Sequence, residues 1–188
     1  MDYAQYAFIL VKLAEKDKTV REQLLREHEL SGGYHPEMEK IHRENTGVLK
    51  KIIHRIGFPG ISKVGEEAYE AAWLIAQHAI AEPAFMKTFL ELMSENIADV
   101  NKKHWAYLHD RIQYFQGEPQ RFGTQLNADG SIYPVTDRDQ LNSFRQEYGL
   151  PLISYEELKA IAKVEDIERI ESENPEYVKW RNGVGWKN

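Results

Sequence analysis

At 188 residues, with 42% hydrophobic and 29% charged side chains, the chain has the size and composition of a globular protein with a substantial core. A formal net charge of −6, with Lys/Arg pairs but no longer basic run, argues against a nucleic-acid partner, whose phosphates would be repelled. Cysteine is absent, which removes disulfides, thiol catalysis and thiolate metal sites.

The opening Met1-Asp2-Tyr3-Ala4-Gln5 lacks the basic and apolar regions of a signal peptide. No apolar run reaches the roughly 18 residues that span a bilayer, so a cytoplasmic protein with no membrane partner is expected. Tyr6, Leu10, Leu13, Val20 and Leu24 recur at helical spacing, with one longer gap, and predict a helix over 2–29 stopped at Ser31-Gly32-Gly33. A second helix opens near Pro36, a residue suited to a first turn, and runs to about Ile56 before the turn Gly57-Phe58-Pro59-Gly60. A third spans about Glu66 to Ala81. It is apolar nearly all round, with Ala71, Leu74, Ile75 and His78 on one face and Tyr69, Trp73, Ala76 and Ile80 on the other. Amphipathic helices follow to about Val100 and over about 103–116. Thr124–Asn127, the turn Ala128-Asp129-Gly130 and Ser131–Val135 predict a short β-hairpin. Helices over about 138–148 and 155–171 precede a tail with Trp180 and Trp186, the latter expected to dock back on the domain.

The pattern predicts a mainly α, single-domain helical bundle with a small β-hairpin near 124–135. Its parts are an N-terminal helix (1–30), a motif-bearing helical core (34–122), the hairpin (123–136) and C-terminal helices with the tail (137–188). No internal repeat is visible.

Polar residues interrupt the apolar stripes in three places. Gln77 and His78 sit side by side in the apolar third helix, and each must find a hydrogen-bond partner or lose roughly 1–3 kcal/mol to desolvation. Asn45 falls inside the stripe of Met38, Ile41, Val48, Leu49, Ile52 and Ile56. It is either a core amide satisfied by backbone or a group facing the same interior as Gln77 and His78. On the helix near residue 108, Arg111 borders the apolar stripe, with Tyr107 and Asp110 further round. A guanidinium beside a core must be paired, either in a carboxylate bridge between helices or on an anionic or carbonyl-bearing ligand. Asp110 is a partner for Arg111 or the acceptor that orients His78. The loop Gly117–Gln125 offers Gln120, Thr124 and Gln125 as neutral donors and acceptors, for a ligand or for capping helix ends.

The segments Asn45-Thr46, Ile52-Ile53, Gly57-Phe58-Pro59, Val64-Gly65, Ala71-Ala72-Trp73-Leu74-Ile75-Ala76-Gln77-His78-Ala79, Ala106-Tyr107-Leu108-His109-Asp110-Arg111 and Gly117–Gln125 resemble a bacterial family of unknown function. That family carries an AAWLI-QHA helix, a YL-DR helix and a G-PQ-YGTQ loop. The likeness extends to Arg145, Gly149-Leu150, Trp180 and Gly185-Trp186, covering roughly residues 40–188. Phe58 stands where the family pattern has tryptophan and Phe122 where it has tyrosine, so residue 122 has no hydroxyl to donate a proton. The resemblance implies no particular activity.

His78 is the one histidine expected inside the core. Oriented by a carboxylate, it suits a general base near neutral pH. His78, Asp110 and Arg111 are therefore the candidate catalytic residues, and Asn45, Gln77, Tyr107, Gln120, Thr124 and Gln125 the candidate substrate-binding residues. With no serine or cysteine in these motifs as a nucleophile, attack by an activated water or non-covalent proton transfer on a small polar substrate is the leading expectation. A binding or regulatory module for a small molecule or peptide is the alternative, and a structural protein whose buried network fixes helix register is the third. An open cleft favours chemistry; a sealed, mutually satisfied set favours architecture. His35, Glu39 and His42 share one helix face at divalent-metal spacing, but chance on a Glu-rich face also produces it. No metal or cofactor is expected, since phosphate-loop, dinucleotide and zinc-protease patterns are missing.

Overall fold

The computed structural model describes residues 3–30 and 33–187, so Met1, Asp2, Ser31, Gly32 and Asn188, with the first two residues of the expected helix stop Ser31-Gly32-Gly33 among them, lie outside the described residues. The described chain is mainly α-helical and divides at Val100 into two compact units.

The first unit holds α1 (Ala4–Arg26), α2 (Pro36–Ile56), the short α3 (Ile61–Val64), α4 (Glu66–His78) and α5 (Pro83–Glu95). α1, α2 and α4 pack against one another pairwise. Their seam is made by Leu10, Ala14 and Leu24 of α1, Met38, Ile41, Leu49 and Ile52 of α2, and Ala68, Ala71, Ala72 and Ile75 of α4, all buried. α2 starts where its sequence says it should: Pro36 supplies the fixed φ of the first turn, and His35 caps it by accepting the Glu37 N–H on Nδ1 at 3.2 Å. α4 stops at His78, three residues short of the expectation. Ala79 leaves helical geometry at φ −73, ψ 36, and a tight turn leads into Pro83 at the first turn of α5.

The second unit holds α6 (Lys102–Gln116), α7 (Leu141–Glu147), α8 (Tyr155–Ala160), α9 (Ile167–Ser172) and α10 (Pro175–Gly183). Gly117 ends α6 in the left-handed conformation (φ 69), where a glycine carries no Cβ penalty. One core cluster gathers Val135, Leu141, Ile153 and Ile161, and another gathers Ala106, Phe122 and Leu150. Trp186 docks back as expected, stacked on Phe115 at 5.1 Å between ring centroids.

Two expectations change here. The helix over 155–171 is broken, because Ile161 adopts extended geometry (ψ 127), buries in the first cluster and gives its carbonyl to Arg138 Nη2 at 2.6 Å. The β-hairpin does not form as paired strands. Residues 124–135 do reverse direction, but with isolated bridges at Gln120–Val135 and Leu126–Ile132. The arms bond directly through Tyr133 N–H to the Gln125 carbonyl (3.0 Å) and Asn127 N–H to the Ser131 carbonyl (2.8 Å). The Gln120 side chain braces their base, donating to the carbonyls of Gln125 (2.9 Å) and Tyr133 (2.8 Å) and accepting the Gln125 N–H (2.8 Å).

Candidate functional site: a carboxylate between two imidazoles

The first unit encloses a charged group at its three-helix seam. Asp17, in the middle of α1, is 1% exposed. Its Oδ2 lies 2.8 Å from Nδ1 of His78, the last residue of α4, and 3.3 Å from Nε2 of His42 on α2. The two imidazole rings face each other at 4.8 Å between centroids. On the far side of the His42 ring, Nδ1 lies 2.7 Å from the Tyr34 hydroxyl. Asp17 and His42 are buried, whereas the His78 side chain is 23% exposed, so the cluster reaches solvent at the end of α4.

Burial alone would raise the Asp17 carboxyl. The hydrogen bonds and charge of His42 and His78 outweigh that and hold it well below the usual carboxylate range, so it is an anion at neutral pH. The C-terminal end of a helix also favours positive charge, and His78 occupies that place on α4. Two buried atoms of the cluster make no well-aligned hydrogen bond: Asp17 Oδ1, and His42 Nε2, which has Asp17 Oδ2 beside it at 3.3 Å. Buried polar groups are normally paired, so two such atoms in one cluster call for a physical explanation.

Of the residues singled out from the sequence, His78 belongs to this cluster, but its carboxylate is Asp17 rather than Asp110. His78 is also not the only interior histidine, since His42 is the more buried. The other metal-like spacing dissolves: His35 is a helix cap and Glu39 pairs with Arg43 at 2.7 Å, leaving only His42 directed at Asp17. Asn45 is buried beside the seam, donating to the Leu13 carbonyl at 3.2 Å, which is the core-amide alternative. Gln77 is buried at 5% exposure, and its Oε1 has no hydrogen-bond partner.

The remaining set lies in the second unit and does different work. Asp110 is fully buried on α6. It accepts the backbone N–H groups of Arg121 (2.9 Å), Phe122 (3.0 Å) and Thr124 (3.1 Å), and the Thr124 hydroxyl (3.1 Å), and its Oδ1 lies 3.1 Å from His109 Nδ1. Gln125 Nε2 in turn donates to Thr124 Oγ1 at 3.1 Å. Asp110 thus gathers the loop backbone and Thr124 around its carboxylate, Gln125 is tied to Thr124, and Gln120 binds the backbone of Gln125 and Tyr133. The Arg111 guanidinium carbon lies 5.6 Å from the Phe115 ring centroid. Tyr107 is exposed on the same helix. This unit also contains a cavity of about 720 Å³ lined by Tyr114, Tyr133, Glu171, Tyr177 and Arg181. Arg181 is held there by Glu171 at 2.5 Å, and the buried Tyr133 hydroxyl has no hydrogen-bond partner.

Asp17 and His42 were the residues that sequence reasoning missed. The signal for Asp17 was the longer gap between Leu13 and Val20: it fills the missing position of the buried α1 stripe. His42 lies four residues after Met38 and seven before Leu49, on the buried face of α2.

Fold and site together define a mainly α protein whose interior carries a charged His–Asp–His group, and among the described residues no helix is long and apolar enough to cross a membrane. The chain belongs to a family of unknown function (DUF6624), whose model matches residues 4–168 and so takes in Asp17, His42, His78 and Asp110. No curated protein and no solved structure matches the chain.

Proposed function

We propose that this protein is an enzyme that activates water for hydrolysis, or transfers a proton, on a small polar substrate at the Asp17–His42–His78 cluster. The observation that carries the reading is an anionic carboxylate, 1% exposed, that holds an imidazole reaching the surface. A carboxylate accepting Nδ1–H fixes the His78 tautomer and leaves the Nε2 lone pair to take a proton, which is the orientation a general base needs. Close by, a groove of about 380 Å³ runs between Ala14 and Lys18 of α1 and Glu67, Ala71 and Leu74 of α4. Ala14 lies one helical turn before Asp17 and Leu74 one turn before His78, so the groove and the cluster share the α1–α4 seam. The test is turnover on a panel of chromogenic esters, amides and phosphomonoesters by the full chain and by Asp17→Asn and His78→Gln. The reading expects kcat to fall by about 100-fold or more in both folded variants. Variants that match the parent on every substrate the parent turns over, or a parent inert on the whole panel, would contradict it.

A second reading is a binding module for a small polar molecule or peptide, favoured by the tyrosine-lined cavity and its unpaired Tyr133 hydroxyl. A thermal-shift screen of sugars, nucleosides and short peptides tests it. Stabilisation that Tyr133→Phe abolishes supports binding there, and no stabilisation by any of them contradicts it.

A further inference from the structure

We infer that Asp17, His42 and His78 form a binding site for a divalent transition-metal ion of the zinc type. One ligand atom from each residue lies within 4.8 Å of the others, and the three come from three different helices. A cation about 2.0–2.2 Å from each donor would place neighbouring donors about 3.0–3.5 Å apart. The carboxylate-to-imidazole separations of 2.8 and 3.3 Å are already near that spacing. At His78 the ion would take the place of the Nδ1 proton that the metal-free ring donates to Asp17, and Nε2 would then carry the ring N–H.

The second observation is independent of the spacing. His42 Nε2 and Asp17 Oδ1 are buried and make no well-aligned hydrogen bond, although His42 Nε2 lies 3.3 Å from Asp17 Oδ2. Buried polar atoms are normally fully satisfied, so both atoms have unused bonding capacity aimed into the cluster. A cation at the focus of the three residues accepts the His42 lone pair and neutralises the carboxylate. The Tyr34 hydroxyl, 2.7 Å from His42 Nδ1, supplies the outer partner that metal-bound histidines normally have. When Nδ1–H donates to that oxygen, the lone pair of the neutral ring falls on Nε2, toward Asp17.

The donor set also selects the ion. Two imidazoles and one carboxylate suit zinc, iron, cobalt or nickel, whereas calcium and magnesium require oxygen-rich shells. Three protein ligands with the third near the surface leave room for a water, the arrangement of a metal site that does chemistry rather than one that is closed and structural. The inference rests on the functional reading for that last step only, since a bound metal would supply the activated water that the cluster is proposed to use.

The experiment is a titration of the metal-stripped full chain with Co²⁺, read by its visible absorption bands and repeated with Zn²⁺ as competitor. The expected result is a single saturable site whose spectrum Zn²⁺ erases and an excess of Mg²⁺ or Ca²⁺ does not. Changes in an outer partner typically cost about 10–100-fold in affinity, so Tyr34→Phe is expected to weaken binding about 10-fold and the ligand changes Asp17→Asn and His42→Gln by more than about 100-fold. His35→Ala is expected to bind like the parent. Circular dichroism of each variant separates lost ligands from lost fold, and Tyr34→Phe, which removes one hydroxyl, keeps the test usable if a ligand variant unfolds. Absence of saturable Co²⁺ binding, or binding that survives Asp17→Asn and His42→Gln, overturns the site. Metal binding without turnover on the substrate panel would overturn the functional reading and leave the site standing; turnover by the stripped protein without metal binding would do the reverse.

Discussion

Asp110→Ala measures how far the second unit depends on one buried carboxylate. The substitution removes the acceptor of three backbone N–H groups, on Arg121, Phe122 and Thr124, and of the Thr124 hydroxyl. Hydrogen bonds to a charged group contribute about 1.5–3 kcal/mol each. Arg121 is exposed and its N–H can rehydrate, so two backbone donors, at Phe122 and Thr124, carry the loss. Their sum is about 3–6 kcal/mol, a large share of the roughly 5–15 kcal/mol that holds a domain folded. Asp110→Asn keeps one acceptor oxygen but turns an NH₂ toward the same donors, so it is expected to fall between the parent and the alanine variant. Urea unfolding followed by circular dichroism gives the shift in midpoint at constant slope. A loss below about 1 kcal/mol for Asp110→Ala would refute the view that this carboxylate shapes the loop. So would a loss of turnover with stability unchanged, because Asp110 would then be doing chemistry.

Three further outcomes are expected. Gly117→Ala should cost at least about 1–2 kcal/mol by urea midpoint, because φ is 69 and a Cβ would overlap Glu171 Oε1 and meet Lys187 Nζ at 2.8 Å; no loss would mean that α6 ends differently. Trp186→Ala should cost about 3–5 kcal/mol, since the indole is 3% exposed and stacked on Phe115, and a near-neutral result would mean that the indole does not dock there. Burial pushes the phenols of Tyr114, Tyr133, Tyr148 and Tyr177 above their ordinary value. Groups whose folded pKa is raised contribute stability fully below the unfolded value near pH 10 and lose it as pH rises beyond. Phenolate absorbance should therefore show four of the ten tyrosines ionising late, together with alkaline unfolding; ten ionising together while the helices persist would contradict this.

The helices that could be read from the sequence are those whose boundaries are chemically marked. α2 runs from Pro36 to Ile56 as expected, because a proline opens it and Gly57 follows it. α6 likewise stops at Gly117. The helix expected over 155–171 failed because its break is tertiary: burial of Ile161 and the hydrogen bond from Arg138 have no local signature. The hairpin is reduced to isolated bridges, and nothing in the spacing reveals that the Gln120 side chain takes part of the backbone bonding at its base.

The candidate site divides the same way. His78 stood out because a polar ring in an apolar helix is anomalous on its own stripe. Asp17 did not, because a single charge in an otherwise charged amphipathic helix reads as solvated until α2 and α4 close over it. The glutamine-rich loop was recognised as unusual, but its amides and Thr124 bind the loop's own backbone and Asp110. Backbone N–H groups demand acceptors as strongly as a ligand does, and the sequence carries no sign of which demand a side chain answers.

Anomalous diffraction from crystals of the full chain grown with Zn²⁺ tests most directly whether the buried Asp17 draws two imidazoles to one point. The account predicts a single strong zinc peak about 2.0–2.2 Å from Asp17, His42 Nε2 and His78 Nδ1. A peak on His35 and Glu39 instead, or no peak near Asp17, would contradict it.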